Sequence, residues 1–150
     1  MEFSRKLGML LINHRSFAVG GMAMIEVTKA GCILRTTTGM PFTLNNDEVN
    51  LLRQEVANMF RGMLNVGNAK FESPFDCLRA FRWIVLPWRA FNPAAVSVIE
   101  LIDADTPTNH YKLTLLGNHQ LELTPEESAH FQNECVNLIW EAQRIAQNMK

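Results

Sequence analysis

Polar and apolar residues alternate in short runs along most of this chain, and a helical spacing takes over in two places. Residues 7 to 17, LGMLLINHRSF, are extended and apolar; MAMIEV at 22 to 27 alternates; CILRTT at 32 to 37 follows a glycine turn; MPFTL at 40 to 44 precedes a helix start. The second half offers the same order, with CLRAFRWIVLPW at 77 to 88, AVSVIELI at 95 to 102, HYKLTLL at 110 to 116 and HQLEL at 119 to 123. Period-two patterning of this length predicts half-buried strands. If Leu34 opposes Phe42 and Leu113 opposes Leu121, both last hairpins close through three-residue loops ending in Gly39 and Asn118. These are residue types that tolerate the left-handed backbone needed there.

Each meander leads into a helix with the same start signal. Asn45 and Thr124 stand as N-caps three residues before Glu48 and Glu127, the arrangement of a capping box, and Pro125 takes the first helical position. Val49, Leu52, Val56, Met59, Phe60 and Met63 then form one apolar stripe, as do Phe131, Cys135, Leu138, Ile139, Ala142 and Ile145.

The parallel order extends to identities. HRSF at 14 to 17 returns as WRAF at 88 to 91; at that offset Arg5 meets Arg79, Arg15 meets Arg89, Phe17 meets Phe91, Ile25 meets Ile99 and Glu26 meets Glu100. After a longer turn at DADTPTN, residues 103 to 109, a second offset aligns Leu34 with Leu113, Leu44 with Leu123, Glu48 with Glu127, Glu55 with Glu134 and Asn58 with Asn137. The expectation is an α+β protein of two β-β-β-β-α repeats, about 4 to 64 and 78 to 147, joined by a linker at about 65 to 77. They would form an intramolecular pseudo-dimer with antiparallel sheets and two packed helices, within a single domain spanning 1 to 150.

Composition changes this picture little. A chain of 150 residues buries roughly 70% of its unfolded surface, enough for a core without staples. No apolar run approaches the ~18 residues of a membrane span, and the first residues fit neither a signal nor a transit peptide, so a cytoplasmic protein is expected. Cys32, Cys77 and Cys135 are odd in number and widely spaced, which suits buried small hydrophobes better than disulfides or a metal knuckle. The net charge of −1 excludes a protein that coats nucleic acid by charge alone. The four histidines lack metal-ligand spacing, and no phosphate loop or nucleophile elbow occurs. The reading is therefore non-catalytic, with neither cofactor nor metal.

Two surfaces stand out. Arg82, Trp83, Trp88 and Arg89 interleave rings and cations as single-strand binders do, with Arg35 and Lys112 on the sheet faces as further phosphate contacts. On the second helix, Trp140 and Val136 lie on the side away from Phe131 and suggest a protein partner or an oligomer contact. With Ile25, Leu34, Phe42 and their counterparts facing the helices, the opposite faces carry Glu26, Arg35 and Thr43, and Glu100, Lys112, Gln120 and Glu122, with Glu100 across from Lys112.

The tandem β4α order over residues 4 to 147 resembles the Whirly and Pur-alpha superfamily of single-stranded nucleic-acid-binding proteins, whose sheets present open faces to the strand. That resemblance implies binding of single-stranded DNA or RNA. The alternative reading of the same residues is a protein-interaction or regulatory module.

Overall fold

The structure is a computed structural model that describes residues 9–59 and 73–148, with side chains described for 9–57 and 73–136. It is an α+β protein of antiparallel sheets and two main helices. The first segment supplies β1 (Met9–Ile12), β2 (Arg15–Ala18), β3 (Met22–Thr28), β4 (Gly31–Thr36), β5 (Pro41–Asn45) and helix α1 (Asn46–Met59). The second supplies β6 (Ile84–Val85), β7 (Arg89–Phe91), β8 (Val96–Ile102), β9 (His110–Leu115), β10 (His119–Glu122) and helix α2 (Pro125–Asn148).

The strands form three sheets: a β1-β2 hairpin, a three-stranded β10-β9-β8 meander, and a five-stranded sheet ordered β5-β4-β3-β7-β6. The last of these joins strands from both segments, because β7 pairs with β3 in the register Met24↔Phe91, Ile25↔Ala90, Glu26↔Arg89.

The hairpin expectations hold in detail. Leu34 opposes Phe42 and Leu113 opposes Leu121, with Gly39 at φ +89° and Asn118 at φ 63°. Glu100 lies across from Lys112. Both helix starts carry reciprocal capping boxes: Glu48 N–H donates to Asn45 Oδ1 while Asn45 N–H donates to Glu48 Oε1, and Thr124 and Glu127 do the same.

The first strand of each segment differs from the expectation. LGMLLINHRSF is a hairpin and not one strand, because Asn13 turns left-handed (φ 57°) and Ile12 pairs with Arg15. CLRAFRWIVLPW is a 3-10 turn over Asp76–Phe81, a left-handed Arg82 (φ 64°), and then a short hairpin bending at Pro87 and Trp88. Proline cannot continue a ladder, and Leu86 N–H instead closes the turn on Arg89 carbonyl.

Two apolar clusters hold these elements together. One gathers Leu10, Ile12, Phe17, Ile25, Leu34, Leu52, Val56, Phe75, Leu78 and Trp83 between α1 and the five-stranded sheet. The other places Met24, Ile84, Phe91, Leu113, Leu115 and Leu123 around Phe131 of α2. Strand β3 serves both: Ile25 points into the first cluster and its neighbour Met24 into the second, each fully buried. Ile99 lies opposite Leu113 and so on the helix-facing side, as expected, yet is 50% exposed, because β8 has no second strand partner among the described residues.

Candidate functional site

The HRSF and WRAF motifs occupy equivalent places in their hairpins. Each begins on the second residue of a two-residue turn, each arginine opens the returning strand, and each phenylalanine is buried. Each arginine also reaches the capping-box glutamate of the helix in its own segment: Arg15 Nη2 donates to Glu48 Oε2 at 2.9 Å, and Arg89 Nε lies 3.0 Å from Glu127 Oε2. The second contact lacks hydrogen-bond alignment and is an ion pair by proximity. The amide of Asn45, then the guanidinium of Arg15, hold the Glu48 carboxyl below the usual carboxylate range.

This clamping redistributes the cations expected to read phosphate. Arg89 is shared between Glu127 and Glu26, the latter at 3.7 Å. Burial pushes the His119 imidazole down, helped by the nearby charge of Arg35 and opposed by Glu26. Arg35 is half-buried, and its Nε has no hydrogen-bond partner among the described residues. Lys112 sits in register between Glu100 and Glu122, with an acidic residue opposite it on each neighbouring strand. Arg82 is exposed at the left-handed C-cap of its turn.

The rings divide as sharply. Trp83 is 2% exposed within the first core, a correction to the expectation of a stacking platform, since stacking needs an open ring face. Trp88 is 64% exposed on the β6-β7 turn, where its carbonyl accepts from Val27 N–H. Of the interaction residues, Val136 is 43% exposed, and the side chain of Trp140 lies outside the described residues.

The thiols offer little chemistry. Burial pushes Cys32 and Cys77 up to about 12 and about 11, and raises Cys135 as well, so all three stay protonated near neutrality. Among the described residues no group of three His, Cys, Asp or Glu is placed to hold a metal ion, and no helix is long and apolar enough to cross a membrane.

The surface that pattern reading passed over is strand β8. Its outer edge has no strand partner among the described residues, and Val98, Ile99 and Leu101 are 48%, 50% and 54% exposed along it. An exposed apolar edge is a pairing template that natural proteins usually blunt with charge, proline or a covering element. The alternating run AVSVIELI signalled a strand, but nothing in it distinguishes an edge from a centre. No protein-family model matches this chain, nor does any curated protein or solved structure.

Proposed function

We propose that this protein is an interaction module, built from two β4α-type repeats packed as a pseudo-dimer, that captures an extended protein segment along β8. The observation that carries the reading is an apolar edge, without a strand partner among the described residues, that bears three half-exposed large side chains. Strand addition supplies main-chain hydrogen bonds for affinity, and alternate side-chain pockets supply specificity.

Several features support the repeat. Register shifts fall at Met22/Met24 in β3 and at Val96/Val98 in β8, positions equivalent under the first offset. The bonds Thr37 N–H to Gly21 carbonyl and Leu116 N–H to Ala95 carbonyl are equivalent too, as are the two capping boxes and the two arginine clamps. An experimental structure in which the β3-β4-β5-α1 unit failed to superpose on β8-β9-β10-α2 would sink the repeat.

Single-stranded nucleic-acid binding, the function the Whirly and Pur-alpha resemblance implies, is the second reading. It is favoured by one observation, the exposure of Trp88 beside Arg89. The paired state of Arg89, the buried Trp83 and the acid-flanked Lys112 weigh against it.

One comparison separates the two. A displayed library of extended peptides should yield binders with alternating apolar residues, lost in Val98→Asp and retained in Trp88→Ala. Fluorescence anisotropy with labelled single-stranded DNA and RNA should show no saturable binding at moderate salt. Saturable single-strand binding abolished by Trp88→Ala, with no peptide selected, would reverse the assignment.

A further inference from the structure

We infer that the segment completing β8 is strand β2 of a second copy of this chain, so that two molecules close into a dimer through reciprocal β2-β8 pairing. The inference deepens the interaction reading above and rests on it. The molecule supplies its own template, since β7 lies against β3 and the sequence offsets make β2 the counterpart of β7 and β8 the counterpart of β3. Yet β2 pairs only with β1, and β8 only with β9, among the described residues. One strand-donating edge and one strand-accepting edge are therefore left over, the condition under which identical subunits join.

Carrying over the register of β3 and β7 pairs Val98 with Phe17, Ile99 with Ser16 and Glu100 with Arg15. Three independent features fit that register. First, charge is complementary: Arg89 lies 3.7 Å from Glu26 across the pair that exists, and Arg15 would meet Glu100 in the pair that does not. Second, an open groove of about 380 Å³ runs beside β2, lined by Arg15, Phe17, Met22, Thr36 and Phe42. At the equivalent place in the second segment, Met24 of β3 fills the space against Phe91 and is fully buried. Val98 is the counterpart of Met24 and stands 48% exposed, the right residue to enter the empty groove. Third, the backbone is poised correctly. Asn92 N–H donates to Ala23 carbonyl and Val27 N–H donates to Trp88 carbonyl, so alternate residues of β3 direct their peptide groups at β7. By the same offset, their counterparts Ser97, Ile99 and Leu101 would direct theirs away from β9, at the edge that has no strand partner among the described residues.

Sedimentation equilibrium on the full chain is the primary test, with an expected mass twice the 17.1 kDa of one chain. Ile99→Pro removes an edge N–H that β9 does not use and should halve the mass with an unchanged circular dichroism spectrum. A double variant, Ser16→Cys with Ile99→Cys, should give a covalent dimer on a non-reducing gel, whereas Ser16→Cys with Leu101→Cys, out of register, should not. A synthetic peptide of residues 13 to 19 should dissociate the native dimer. A monomeric native chain, a dimer indifferent to Ile99→Pro that fails to crosslink, or a disulfide formed within one chain would each overturn the inference. Should Ile99→Pro fail to fold, the cysteine pairs decide alone. A monomer that still captures library peptides sinks only the second copy as partner; a monomer that captures none sinks the interaction reading as well.

Discussion

Arg15 and Arg89 show how one side chain type serves structure when it could have served recognition. Each sits where a strand leaves a tight turn, within reach of a carboxylate that caps a helix; Glu48 accepts from both Asn45 N–H and Arg15, while Arg89 meets Glu127 as an ion pair by proximity. The consequence for Glu48 is a folded pKa below the unfolded one. Its stabilising contribution is therefore complete above the unfolded value of about 4.3 and is lost as pH falls through the folded value. Glu48→Gln should lower the urea midpoint at pH 7, and the gap from the parent should close as the pH falls below about 4. His110 works in the opposite sense. Its ring bonds the Thr108 carbonyl first and Glu122 Oε2 second, which raises its pKa. The stability it adds is present below the ordinary histidine value of about 6.5 and fades as pH rises through the folded one, so the difference between His110→Gln and the parent should be full at pH 5 and shrink as the pH is raised above about 6.5. Trp83, by contrast, is a packing residue: Trp83→Ala should cost roughly 3–5 kcal/mol in urea unfolding.

At the scale of elements, the helices are tied to their sheets by polar bonds that pattern alone does not reveal. Glu134 on α2 is 9% exposed and accepts from Arg79 Nε at 3.0 Å and from Val85 N–H at 3.2 Å, so it fixes the 3-10 turn and β6 against the helix. Removing the arginine leaves a buried carboxylate short of its cation, and Arg79→Met should cost about 3–5 kcal/mol in denaturant unfolding. Thr124→Ala, which removes only a cap, should cost about 1 kcal/mol. The aligned identities Arg5/Arg79 and Glu55/Glu134 pointed to these residues in the sequence, and Glu55 is buried as well. Arg5 lies outside the described residues. The capping boxes were legible because they depend on residues three apart. The Arg79 bond spans 55 positions and was not.

The molecule as a whole couples its two segments through β3. One strand feeds two cores from its two faces, and the hairpin tips also meet: a Cβ on Gly117 would lie 2.4 Å from Gly39 N, at a residue with φ +86°. Gly117→Ala should accordingly destabilise the whole fold, not one hairpin. With stability shared in this way, dimer formation through β2 and β8 should make the melting temperature rise with protein concentration, and Ile99→Pro should abolish that dependence. Differential scanning calorimetry over a hundredfold range of concentration checks both outcomes.

Local chemistry was within reach of the sequence by itself. Alternation, turn residues and capping signals specified strands, hairpin registers and helix starts, because each depends on neighbours a few positions apart. The same locality explains the failures at residues 7 to 17 and 77 to 88. There an apolar run has no period to reveal a turn, and only packing around Trp83 and the left-handed backbone at Asn13 and Arg82 decide where the strand stops. Only tertiary structure could decide which arginines pair with glutamates, which tryptophan is inside, and that β7 joins β3 while β8 is left an edge among the described residues. Strand partnership follows from the fit of distant surfaces, and neither the composition nor the period of AVSVIELI carries a record of what lies beside it.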